Sequence, residues 1–116
     1  MEDNLYDSIL VTTRKLIGPN GNYDVFDEDL LVHINSFFEV LTQCGVGPEE
    51  GFRVIDENTR WSDFTTNGEE YAMARQYIVL RTRLAFDPPA SSFAMDSLKK
   101  IADEMEWRMY IKAQEN

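Results

Sequence analysis

Apolar residues recur along the chain with helical spacing in four stretches, and the most demanding of them, Glu69 to Pro89, runs into an Asp-Pro-Pro stop. Within it Met73, Tyr77, Leu80 and Leu84 repeat every three or four residues, while Ala74, Ile78 and Ala85 line an adjacent stripe, so the apolar face is wide. Polar character survives at Arg75, Gln76, Arg81, Thr82 and Arg83, a strip too narrow for a helix with half its circumference in water. The pattern predicts a central helix covered by others. Asn67 supplies a cap with Glu70 as its capping-box partner, and Pro88 forces Asp87 out of helical geometry.

The other periodic stretches predict the cover. Asp3 or Asn4 caps a first helix in which Leu5, Tyr6, Ile9, Leu10, Thr13, Leu16 and Ile17 share one face, and Gly18-Pro19 ends it before a turn at Asn20, Gly21 and Asn22. A second helix opens at Asp27 as cap, with Glu28 and Asp29 at the positive end of the dipole and Phe26 stapling onto Leu31. Its core positions are Leu30, Ile34, Phe37, Leu41 and Cys44, with Leu31 and Phe38 beside them and Asn35, Ser36, Glu39, Thr42 and Gln43 outward; Gly45 closes it. Gly45 to Gly51 is irregular, and Phe52, Val54 and Ile55, then Thr59, Trp61 and Phe64, flank the turn-prone Asp56-Glu57-Asn58 as a short hairpin. Two such strands are marginal alone, so Trp61 and Phe64 are expected to pin the hairpin onto the helices or a neighbouring subunit. Ser91 or Ser92 caps a last helix whose apolar face is Met95, Leu98, Ile101, Ala102, Met105 and Met109, with Trp107, Tyr110 and Ile111 off that face. The expected architecture is mainly α, a small four-helix bundle with a short β-hairpin excursion between the second and third long helices.

Length and composition narrow this. The 116 residues fit one domain over 1–116, and 43% hydrophobic with 28% charged residues is the balance of a folding chain. No apolar run approaches the roughly 20 residues that span a bilayer, and Glu2 and Asp3 stand where a signal peptide carries Lys or Arg, so synthesis in the cytoplasm and no membrane partner are expected. The single cysteine, Cys44, excludes an internal disulfide and a multi-cysteine metal cluster. A formal net charge of −10, with basic residues only singly or in short pairs, argues against tight binding to nucleic acid and leaves an acidic wall past which DNA slides.

No constellation carries catalysis. Asn20, Asn22, Asp24 and Glu28 have the spacing of a calcium loop, but Val25 occupies the required glycine place and Leu31 the place of the bidentate glutamate. His33 and Cys44 lie eleven residues apart on one helix, about 16 Å along its axis, and cannot form a nucleophile and base pair. Asp103, Glu104 and Glu106 read as a solvated helix face, and there is no Gly-rich phosphate loop, GxSxG or HExxH. Neither a cofactor nor a metal is expected, and the chain does not read as an enzyme.

Several stretches taken together resemble the small head-tail connector (adaptor, or head-completion) proteins of tailed bacteriophages with Gram-positive hosts. They are Asp7-Ser8-Ile9-Leu10 with Lys15-Leu16-Ile17-Gly18, His33-Ile34-Asn35, Gly45-Val46-Gly47-Pro48-Glu49-Glu50-Gly51-Phe52, Trp61-Ser62-Asp63-Phe64, Leu84-Ala85-Phe86-Asp87-Pro88-Pro89, Ser91-Ser92-Phe93 and Glu106-Trp107-Arg108. Asp56 to Arg60 and Asn67 to Ala74 depart from the pattern. The resemblance implies a virion protein that assembles as a closed, dodecameric ring on the portal protein of a filled capsid. It extends the DNA channel without binding DNA specifically and offers its far side to a stopper or tail-completion protein.

A head-to-tail ring needs two different complementary patches per subunit. The Trp107, Tyr110 and Ile111 set and the hairpin Trp61 and Phe64 set are the expected interface residues, because the chain holds more large aromatics than one small core needs. Two readings from other classes stay open on sequence: a small acidic regulatory or inhibitory protein binding a basic surface, and an enzyme accessory subunit.

Overall fold

The computed structural model describes residues 5–17 and 26–115, and five helices run through them: α1 (Ile9–Ile17), α2 (Asp27–Gln43), the single turn α3 (Trp61–Phe64), α4 (Gly68–Phe86) and α5 (Ser92–Gln114). The expected caps Asp3 and Asn4, the Gly18-Pro19 stop, the Asn20 to Asn22 turn and most of the calcium-like loop lie outside the described residues.

α4 is central, as its pattern predicts: it packs against α1, α2 and α5. Its start is locally determined, Asn67 Oδ1 accepting from the Glu70 amide at 2.9 Å. The reverse arm of the capping box does not form, because the Asn67 amide donates to Thr65 Oγ1 at 3.1 Å. Tyr71, Ala74, Tyr77, Ile78, Thr82 and Leu84 are buried. Leu80 and Ala85 are not, because α1 and α5 approach α4 from either side and leave a stripe with Val79 and Leu80 half open to solvent.

α2 starts one residue earlier than expected. Phe26 holds the cap position and Asp27 lies inside the first turn, where its carboxylate takes a two-pronged contact from Arg14 at 2.9 Å that ties α1 to α2. Phe38, rather than its neighbour Phe37, is fully buried and meets Phe52 and Phe64 edge to face. The helix ends in a Schellman turn, with Gly45 N–H on the Thr42 carbonyl, Val46 N–H on the Leu41 carbonyl and Gly45 at φ 88°. Gly47, at φ 85°, is required twice over, since a Cβ there would lie 2.3 Å from the Phe64 ring.

The hairpin does not exist: no strand forms among the described residues, only one isolated bridge between Ser8 and Arg60. Asn35 from α2 takes the place of a partner strand, donating to the Val54 carbonyl at 3.0 Å and accepting from the Val54 amide at 2.7 Å. The second arm turns instead to the chain start, where Ile9 N–H donates to Thr59, Trp61 N–H to Asp7 and Ser62 N–H to Leu5. Residues 5–8 are thereby used as a backbone partner and cannot extend α1, which begins at Ile9 with Ser8 Oγ accepting from the Val11 amide at 3.1 Å. Trp61 and Phe64 sit on α3 with 0% and 4% exposure, in the same cluster as Ile9, Leu30, Ile34, Phe38 and Tyr77.

Candidate assembly surfaces

α5 begins at Ser91, whose Oγ accepts from the Ala94 amide at 3.2 Å, and presents one side to α4. Ala102 and Met109 are buried there, Met105 and Leu98 are half-buried, and Ile101, expected on the same face, is exposed. A polar latch fixes the pairing. Arg81 of α4 donates to Asp103 at 2.6 Å and Glu106 at 3.0 Å, while the Tyr77 hydroxyl donates to Glu106 at 2.8 Å beneath the guanidinium. Burial, with Glu106 adding and Arg81 opposing, pushes the Tyr77 phenol well above its ordinary range. Burial works against the Arg81 charge, but the hydrogen bonds to Asp103, Tyr77 and Glu106 outweigh it and hold the guanidinium charged. Farther along, Lys112 bonds Glu69, which lowers the carboxyl pKa and raises that of the amine. Ala113 closes on the Gly45 turn, where an added Cβ would meet it at 3.3 Å.

The inner side of α5 is thus occupied, and its large residues on the opposite side remain in water. Trp107 is 60% exposed and Phe93 81%, with Tyr110 and Ile111 also open and the Trp107 and Tyr110 rings 6.2 Å apart. At roughly 100° per residue, Phe93, Trp107 and Ile111 fall within one narrow sector facing away from Ala102 and Met109. The structure therefore separates the expected interface residues. Trp107, Tyr110 and Ile111 lie together on an uncovered face, whereas Trp61 and Phe64 belong to the monomer's own core and offer no patch to a neighbour. Phe93 joins the first set; its phase in the α5 repeat places it there, although the run of apolar residues nearest it is shared with the inner face.

No group of three or more His, Cys, Asp or Glu among the described residues could hold a metal ion. The Cys44 thiol is pushed up by burial and by the Glu106 charge, the opposite of an activated nucleophile. No described helix is long and apolar enough to cross a membrane.

The family model described as phage connector protein matches residues 9–116. No curated protein and no solved structure matches the chain.

Proposed function

Because the chain belongs to the phage connector protein family, a class of virion components at the head-tail junction, we propose that it closes into a ring on the portal vertex and extends the DNA channel toward a stopper or tail-completion protein. It does so as a structural part, without catalysis, cofactor or metal, in a phage of a Gram-positive host. The uncovered face of α5 is the surface by which each subunit is seated in that assembly. One observation carries this: Trp107 and Tyr110 stand exposed beside Ile111 while the inner side of the same helix is already filled by Ala102 and Met109. Large aromatic side chains in that position are the usual anchors of interfaces. The acidic balance of the chain, −10 formally, suits a channel wall that DNA must leave freely.

Trp107→Ala tests the assignment. The side chain is mostly in water, so the melting transition should be preserved, while truncating an anchor commonly costs about 2 kcal/mol or more of binding at every subunit. Filled heads made with this variant should fail to retain it and should never acquire tails. Normal infectious titre, or a soluble complex formed only with a basic partner protein and never with portal, would reject the proposal.

A further inference from the structure

Placing Trp61 and Phe64 in the core removes one of the two patches that a head-to-tail contact needs, yet two others of opposite character remain on the surface. The first is a trough along the open stripe of α4. Leu16 of α1, Val79 and Leu80 of α4 and Met105 of α5 form its apolar floor, and Arg75 and Arg83 line it. Leu16 is 50% exposed in spite of its neighbours, so the floor is uncovered. Arg14, Arg81 and Arg108 each hold a carboxylate, whereas Arg83, exposed at the end of α4, is with Arg53 and Arg60 among the arginines that form no ion pair among the described residues.

The second patch is a knob. The Asn35 clamp holds Val54 inward, which turns its neighbour Ile55 out to 75% exposure, and Val32, one turn before Asn35 on α2, is 64% exposed. Two β-branched apolar side chains in water are flanked here by carboxylates: Asp56 and Glu57 follow Ile55 and border a cleft over Leu10 and Leu31, and Glu28 and Asp29 are exposed one turn before Val32. α1 lies between the two patches. Leu10 lines the cleft at the knob and Leu16 the trough, and six residues of helix turn them roughly 120° apart and about 9 Å along the axis.

The geometry points to a contact between two copies of this chain, in which the carboxylate-flanked knob at Val32 and Ile55 of one subunit seats in the arginine-flanked trough at Leu16, Val79 and Leu80 of the next. It rests on the ring reading above and supplies the contact that closes the ring. α5 is left free for the portal side. Apolar centres supply the burial and opposite rims supply register and exclude the pairings of knob with knob and trough with trough. Because the two patches differ, each added subunit offers a fresh knob or trough, so the contact propagates around a ring instead of stopping at a pair.

Charge exchange in the full chain tests it, read as occupancy of portal-bearing heads. Arg83→Glu should weaken assembly by on the order of tenfold or more, as should Asp56→Arg combined with Glu57→Arg, and all three changes together should restore it to within a few fold. These side chains are exposed, so the melting curve of each variant should match that of the parent. A second reading uses Cys44→Ser with Glu57→Cys and Arg83→Cys and a short bis-maleimide, which should give a ladder of multimers beyond the dimer, where either single cysteine gives none. If the charge variants assemble like the parent, if the combined variant is no better than its parts, or if cross-linking stops at dimers, the contact is wrong while the ring reading stands. If the parent itself forms no ring on portal, both fall.

Discussion

Asn35 does the work of a missing strand, and its removal should show it. Asn35→Ala leaves the amide and carbonyl of buried Val54 without partners, for an expected loss of about 2 kcal/mol in urea unfolding. Thr82 is the reverse case. Its Oγ1 is buried with no hydrogen-bond partner among the described residues, so Thr82→Val should be neutral or stabilising by up to about 1 kcal/mol. Position 80 separates pattern from packing: Ile78→Asp places a charge where exposure is 0% and should abolish cooperative melting, whereas Leu80→Asp, at the half-open trough, should keep it. Tyr77 adds a pH dependence. Its phenol pKa is raised from 10.0 chiefly by burial, so the folded state keeps a proton that the unfolded chain releases first. That contribution is intact below about pH 10 and is lost as pH climbs toward the raised value. The urea midpoint should therefore fall more steeply between pH 9 and pH 11 in the parent than in Tyr77→Phe.

At the scale of elements, α5 joins the body chiefly through α4, so its stability depends on few anchors. Two are apolar, Ala102 and Met109, and one is the Arg81 latch to Asp103 and Glu106. Deleting the segment after Trp107 removes Met109 as well as Tyr110 and Ile111, and losing a buried Met costs about 2 to 5 kcal/mol. Such a truncation should lower the melting temperature where Trp107→Ala leaves it unchanged, and calorimetry of the pair separates seating in the assembly from packing in the subunit. The exposed Glu104–Arg108 pair within α5, 3.0 Å apart, is of the kind that adds little.

At the scale of the whole molecule, charge decides what the surface can meet. With 21 acidic against 11 basic residues and no run of Lys and Arg, mixing with duplex DNA at low salt, where attraction is strongest, should give no shift in mobility. A micromolar complex at physiological salt would overturn the reading of the chain as a passive channel wall. The α4 trough carries Arg75 and Arg83 and is matched by an acid-rimmed knob on the other side of α1. That separation of opposite charges over one small body suits assembly with copies of itself more than capture of a polyanion.

The amino-acid order by itself determined most of what depends on neighbours a few residues away, although the α2 cap fell on Phe26 instead of Asp27 and Glu70 did not reach back to Asn67. The Asn67 and Ser91 caps, the Gly45 stop, the end of α4 at the Asp-Pro-Pro run and the central place of that helix follow from capping chemistry and spacing. The exposure of Trp107, Tyr110 and Ile111 followed as well, because their phase opposes a stripe already sufficient for packing. The stretch from Phe52 to Phe64 was not legible in this way. Its alternation reads as two strands, and only the fold brings Asn35 and the residues near Asp7 against it to satisfy its backbone, which turns a hairpin into two separately clamped arms. The same tertiary choice draws Trp61 and Phe64 inward and leaves Leu80 and Leu16 out. A wide apolar face states how much of a helix can be covered, but which part is covered depends on where the other helices cross it.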